Sequence, residues 1–230
     1  MAQFVVAIDG GAGSGKSTTA RAVARRLNFF YLDTGAMYRA VTLKYLQLKP
    51  DAQSVDMQTV KKVIRSTEID LGQKDGETTV YLDKKDVSLA IRTPEVSAFV
   101  SQISAVPEIR KWMVQKQRAV AAGKNVVCEG RDIGTVVFPD AHVKIFMQAD
   151  LTVRAERRQK ELLEKKIDTA LEEVVKNLQF RDRYDSRREH SPLKKADDAI
   201  VVDTTHLTIE QEIDLVEKIV REKLETNPKH

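Results

Sequence analysis

The run Gly10-Gly11-Ala12-Gly13-Ser14-Gly15-Lys16-Ser17 combines closely spaced glycines with a lysine and a hydroxyl. It fits G-x-x-x-x-G-K-[ST], in which the glycines let the backbone curl with its N–H groups facing inward. A curl of that kind holds polyphosphate, because its amides and the N-terminus of a following helix present positive charge. Lys16 is then expected to reach the β- and γ-phosphates from a surface loop, and the Ser17 hydroxyl to ligate Mg²⁺. Thr18 completes the ATP-binding stretch expected here. A dinucleotide-binding turn is disfavoured, since the third glycine of the G-x-G pattern falls at position 15 rather than 16 and a lysine follows.

The rest of the chain narrows the class. No N-K-x-D segment for guanine is present; the nearest string, Leu82-Asp83-Lys84-Lys85-Asp86, lacks the asparagine. Val126-Val127-Cys128-Glu129-Gly130 ends in one carboxylate rather than the pair expected of a motor ATPase. A small kinase remains, and it needs arginines for a second phosphate-bearing substrate. Arg39 follows Asp33-Thr34-Gly35-Ala36-Met37-Tyr38, and Arg131-Asp132 follows Glu129-Gly130. Arg181, Asp185 and Arg188, spaced i, i+4, i+7, would share one face of a helix. A salt-bridged surface helix is the competing reading of that trio, and an exposed loop pair that of Arg131-Asp132.

The elements that must position these residues are legible in the apolar pattern. Short apolar runs at 4–8, 29–32, 126–128, 143–147 and 200–202 are separated mostly by helix-like segments. They predict an α/β fold with a five-stranded, mostly parallel sheet flanked by helices, its strands buried on both faces. The phosphate run follows the first strand and opens a helix through Thr18, Ala20, Ala22 and Ala24. Residues 68–88 switch to period two, predicting a small antiparallel insert with its turn at Asp75-Gly76. Residues 154–166 read as a highly charged helix with few apolar anchors, either a mobile flap or an ordinary solvated helix.

Composition sets the outer limits. With 42% hydrophobic and 31% charged residues, the 230-residue chain is globular, sized for one α/β domain, and without a membrane-length apolar stretch. One cysteine, Cys128, excludes an internal disulfide and suits a cytoplasmic location. Four scattered histidines show no zinc spacing. The net charge of +4 suits small phosphorylated substrates, and 6% aromatics argue against a nucleic-acid-binding ATPase. A kinase for another small metabolite, such as shikimate, shares the phosphate loop and stays an alternative at this level.

Beyond the phosphate loop, the chain resembles the bacterial cytidylate kinases of the nucleoside-monophosphate (NMP) kinase group over roughly residues 4–224. The resemblance is carried by Leu32-Asp33-Thr34-Gly35-Ala36-Met37-Tyr38-Arg39, Ile91-Arg92-Thr93-Pro94-Glu95-Val96, Arg131-Asp132-Ile133-Gly134-Thr135-Val136-Val137-Phe138-Pro139 and the 181–188 segment. It implies one kinase domain over 1–230, with an NMP-binding segment near 34–110 that includes the insert and a LID near 150–180. It implies ATP and CMP or dCMP as substrates, Mg²⁺ as cofactor, and a cytoplasmic monomer that binds neither nucleic acid nor membrane. Ser101, Arg110 and Asp132 match residues that read cytosine, and Thr34 stands where relatives have serine. Arg39, Arg131 and Arg188 match acceptor-phosphate ligands, Arg181 and Asp185 ribose ligands, and Arg157 and Arg158 LID arginines that close over the transferring group. Gly11 replaces a proline common in relatives, a change expected to loosen the loop.

Overall fold

The computed structural model describes residues 4–74, 77–164 and 167–226. In chain order the strands are β1 (Val5–Gly10), β2 (Phe30–Asp33), β3 (Ile69–Lys74), β4 (Glu77–Leu82), β5 (Lys85–Asp86), β6 (Val126–Gly130), β7 (Val143–Gln148) and β8 (Ile200–Asp203). The α-helices are α1 (Lys16–Leu27), α2 (Thr34–Leu48), α3 (Met57–Ser66), α4 (Pro94–Ala105), α5 (Pro107–Ala121), α6 (Leu151–Glu164), α7 (Leu171–Ser186) and α8 (Ile209–Thr226).

Five strands form one sheet in the order β2-β6-β1-β7-β8, and every pairing is parallel. Alternate residues of β1 point to opposite faces, as a pleated strand requires. Val5 and Ala7 enter a core shared with α2, α3, α4 and α5. Phe4, Val6 and Ile8 enter a second core with Ala20, Val23 and Ala24 of α1 and Ile213, Val216 and Val220 of α8. Helices thus cover both faces of the sheet.

Burial on both faces fails most at β8, while β7 alternates buried with partly exposed residues. In β8, Ile200 and Val201 are 40% and 45% exposed. β8 is an edge strand whose single neighbour is β7, and only Val202 joins a core.

The period-two segment is a three-stranded antiparallel sheet, β3-β4-β5. Its register sets Ile69 opposite Leu82 and Leu71 opposite Val80. Ile69, Val80, Leu82 and Val87 pack into the same core as α2, while Tyr81 points outward. Lys44 of α2 binds Asp83 at 2.6 Å and ties the insert down from the other side. The predicted turn at Asp75-Gly76 lies outside the described residues.

The charged 154–166 segment is anchored more firmly than a flap. Leu151, Ala155 and Leu162, at helical spacing on α6, pack against Val174 and Leu178 of α7. Arg154 and Ala155 are buried. Lys166 lies outside the described residues. No helix among those described is long and apolar enough to cross a membrane.

Candidate active site

The phosphate loop joins β1 to α1 at the carboxyl edge of the sheet, where parallel α/β folds place ligands. Two glycines are needed for its backbone. Gly13 and Gly15 have φ of 76° and 89°, a left-handed region that side chains disfavour. Gly15 is the residue before α1, so the loop amides and the helix N-terminus converge on one point.

Lys16 is not on a surface loop, as the sequence suggested; it is 4% exposed. Its Nζ donates to the Gly11 carbonyl at 2.7 Å and to Ser14 Oγ at 3.3 Å. Burial, then the neighbouring Arg131, lower its pKa to about 7, against the pull of Glu129 and Asp9. The ammonium therefore sits where a phosphate would recover the charge stabilisation that burial removes.

Ser17 Oγ donates to Glu129 Oε2 at 2.9 Å, and Tyr31 donates its hydroxyl hydrogen to the other oxygen of the same carboxylate. Burial, with Asp33 next, raises the Glu129 pKa. Glu129 lies near the end of β6, beside β1, and its role as partner of Ser17 was missed from sequence. The signal was present, since a carboxylate closes an apolar central strand. Asp9 was missed for the same reason. It accepts from the amides of Ile133 and Gly134, both at 2.8 Å, and fixes the loop after β6 against β1. Burial lifts the Asp9 pKa to about 6 despite those two bonds.

Five of the residues expected to serve the acceptor are joined in ion pairs, Arg110 with Asp132 and Asp185 with Arg131 and Arg188. Arg110 of α5 donates to Asp132 and, at 2.8 Å, to the Ser104 carbonyl, and its guanidinium lies 5.4 Å from the Tyr38 ring centroid. Asp185 of α7, 7% exposed, receives Arg131 Nε at 2.9 Å and pairs with Arg188 at 3.1 Å. Burial would raise the Asp185 pKa, but Arg131 and Arg188 overcome it and hold it below the usual value. Thr34 donates its hydroxyl hydrogen to the Glu129 carbonyl at 2.7 Å, leaving oxygen lone pairs as acceptors. Arg39 is held by Ser97 Oγ at 2.9 Å. Ser101 is half-buried on α4.

Two further placements differ from expectation. α7 ends at Ser186, so Arg188 does not share a helical face with Arg181 and Asp185. It reaches Asp185 by folding back beyond the helix end, donating from Nε to the Asp185 carbonyl at 3.3 Å. Arg157 is not brought into the cleft. Its guanidinium turns behind the phosphate loop, to Thr204, the Leu207 carbonyl and Glu212. The next residue on α6, Arg158, takes another direction: it pairs with Glu161 at 2.8 Å and adds positive field at Arg39 and Arg181.

Arg181 has no ion pair among the described residues. Burial and then Arg131, with Arg39 and Arg158, depress its pKa to about 10 despite Asp185. Burial, then the nearby Arg158, Arg92 and Arg131, also lowers that of Arg39 despite Asp33. Arg154 was missed from sequence; it binds the Ala12 carbonyl at 3.1 Å and Asp182 at 2.7 Å. A Cβ on Gly11 would stand 2.9 Å from its Nη1, so the small residue at position 11 leaves room for this arginine.

The cytidylate kinase family model matches residues 6–223. A cytidylate kinase of Carboxydothermus hydrogenoformans is 47% identical over 218 residues, 95% of this chain and 97% of its own length. One from Caldanaerobacter subterraneus is 48% identical over 216 residues, 94% of each chain. A third, from Fusobacterium nucleatum, is 47% identical over 219 residues, 95% of this chain and 97% of its own.

Proposed function

The chain belongs to the cytidylate kinase family, and on that premise we propose how its cleft passes the γ-phosphate of ATP to CMP or dCMP. The products are ADP and CDP or dCDP. The observation that carries the assignment of the cleft is a buried Lys16 with Arg131 nearby, Asp185 binding both Arg131 at 2.9 Å and Arg188 at 3.1 Å; burial and mutual repulsion lower the pKa values of Lys16, Arg39 and Arg181. Two phosphate-bearing ligands meeting there would relieve that repulsion on both sides of the transfer.

Lys16 and the amides of residues 10–18 hold the ATP phosphates, Lys16 leaving the Gly11 carbonyl for the β- and γ-oxygens. Mg²⁺ suits the donor set, because Ser17 lies against a carboxylate while no cluster of three or more metal-binding side chains exists among the described residues. Ser17 would be its protein ligand, and the ion would supply charge neutralisation to the ATP phosphates. Arg39, Arg131 and Arg188 hold the acceptor phosphate, and Arg158 covers the transferring group from α6. Arg181 and Asp185 take the sugar.

Asp132 accepts from the exocyclic amine of cytosine, with Arg110 and Ser101 at the ring and the free lone pairs of Thr34 nearby. Phosphoryl transfer needs alignment and charge neutralisation more than a base, which matches a site of arginines without a nucleophile–histidine pair. The protein acts as a cytoplasmic monomer on small nucleotides and not on polynucleotides. A coupled assay of ADP formation with CMP, dCMP, UMP, AMP and shikimate tests this; turnover should be fastest with CMP and dCMP. Preference for AMP or shikimate would refute the acceptor assignment.

A further inference from the structure

Glu212 lies in the first turn of α8, is 1% exposed, and belongs to neither substrate site. One oxygen accepts from Thr19 of α1 at 3.2 Å. The other pairs with Arg157 of α6 at 3.0 Å. The carboxylate also lies directly against the phosphate loop, since a Cβ on Gly15 would fall 2.3 Å from its Oε2. Arg157 extends the arrangement by donating to Thr204 Oγ1 at 3.1 Å and to the carbonyls of Thr204 and Leu207 at 2.8 and 3.2 Å. Thr204 in turn reaches the Ser14 carbonyl of the loop at 3.2 Å. One buried carboxylate therefore joins the LID helix, the β8–α8 connection and the rear of the phosphate loop.

We infer that Glu212 is a positioning residue for phosphoryl transfer: with Arg157 it docks the middle of α6 onto the back of the phosphate loop, setting Arg158 relative to the γ-phosphate. The inference rests on the reading that residues 10–18 bind ATP. It also gives Arg157 a role other than closing over the transferring group. The physical reason is that Gly15 and Lys16 have left-handed and buried geometries that need support from behind. Arg158, one residue beyond Arg157, inherits its direction from where Arg157 is anchored.

The test compares wild type, Glu212→Gln, Arg157→Met and the double variant, with ATP and CMP varied independently. Wild-type turnover of CMP, measured first, judges the underlying reading separately. Each single change should raise the KM for ATP about tenfold, the scale of one lost charge-assisted hydrogen bond, while the KM for CMP moves less than about twofold. The double variant should be no worse than the poorer single, because both remove the same pairing. Equal increases in both KM values would mean general loosening and overturn the inference. Multiplying losses in the double variant would mean that Arg157 acts on ATP independently, and would overturn it too. If Glu212→Gln does not fold, Arg157→Met decides alone, since Arg157 is partly exposed, and an unchanged KM for ATP refutes the pairing.

Discussion

Replacing Asp132 separates base reading from structural pairing. The Arg110 and Asp132 side chains are 4% and 6% exposed and form a direct ion pair. Removing one partner of a buried pair costs about 3–5 kcal/mol, because the remaining charge is left desolvated. For a chain of this size each kcal/mol corresponds to roughly 2–4 °C, so Asp132→Ala should lower Tm by about 6–20 °C. Arg110 keeps its bond to the Ser104 carbonyl, so the pocket wall should stay in place. Asp132→Asn retains an acceptor for Arg110 and should lose less stability, which makes it the cleaner variant for kinetics. A carboxylate accepts from the amine of cytosine and repels the carbonyl that uracil carries at that position. Losing that charged acceptor should cost about 1.5–3 kcal/mol, roughly ten- to a hundredfold in kcat/KM for CMP relative to UMP. Thermal unfolding by circular dichroism and steady-state kinetics with both nucleotides measure the two effects. Equal losses for CMP and UMP would show that Asp132 serves only Arg110, and an unchanged Tm for Asp132→Ala would show that the pair does not form.

Lys16→Met should abolish turnover, and in wild type ATP should raise the depressed pKa of Lys16, so binding at pH 8.5 takes up as much as about one proton, measured by calorimetry in buffers of different ionisation enthalpy. The same group makes ligand-free stability rise between about pH 7 and pH 10, where the unfolded chain binds the extra proton. Asp185→Asn should change the ratio of CMP to dCMP use. Because its folded pKa is depressed, Asp185 stabilises the wild type above about pH 4 and loses that effect as pH falls further; the variant should show a shallower acid loss in denaturant titrations. Arg188→Met should cut kcat/KM for CMP strongly and leave the KM for ATP nearly unchanged. Gly130→Ala would set a Cβ 2.7 Å from both Thr34 Oγ1 and Ile133 Cδ1, and should raise the KM for CMP in initial-rate measurements.

The sheet and the phosphate loop were legible because they are local: an apolar run, a glycine-rich turn and a helix follow one another in the chain. The antiparallel insert was equally plain from period two. Exposure of β8 was not, since an edge strand and a central one can have the same composition. The family resemblance read from the motifs agrees with the family model and the relatives. What spacing could not supply was the direction of long side chains. Arg157 and Arg158 are adjacent in sequence, yet one turns behind the phosphate loop and the other adds field to the cleft. Arg188 reaches its place by a chain reversal that i+7 spacing does not describe. Glu129, Asp9 and Glu212 act through partners more than 50 residues distant, which no window of sequence brings together.

The core beneath the acceptor side has a further consequence. Val5 and Ala7 of the central strand, α2, α5 and the apolar face of the insert all belong to one continuous cluster. A cluster that is shared cannot be opened piecemeal without exposing apolar surface from several elements together. The amides of Ile69, Val80 and Leu82 should therefore exchange with solvent deuterium only through openings that also expose Val126 and Cys128, giving the small sheet and the central strands a common opening free energy. The insert is in that sense the outer wall of a single cooperative unit, and the give that substrate entry needs should come from α6 and α7, whose own core is small and separate.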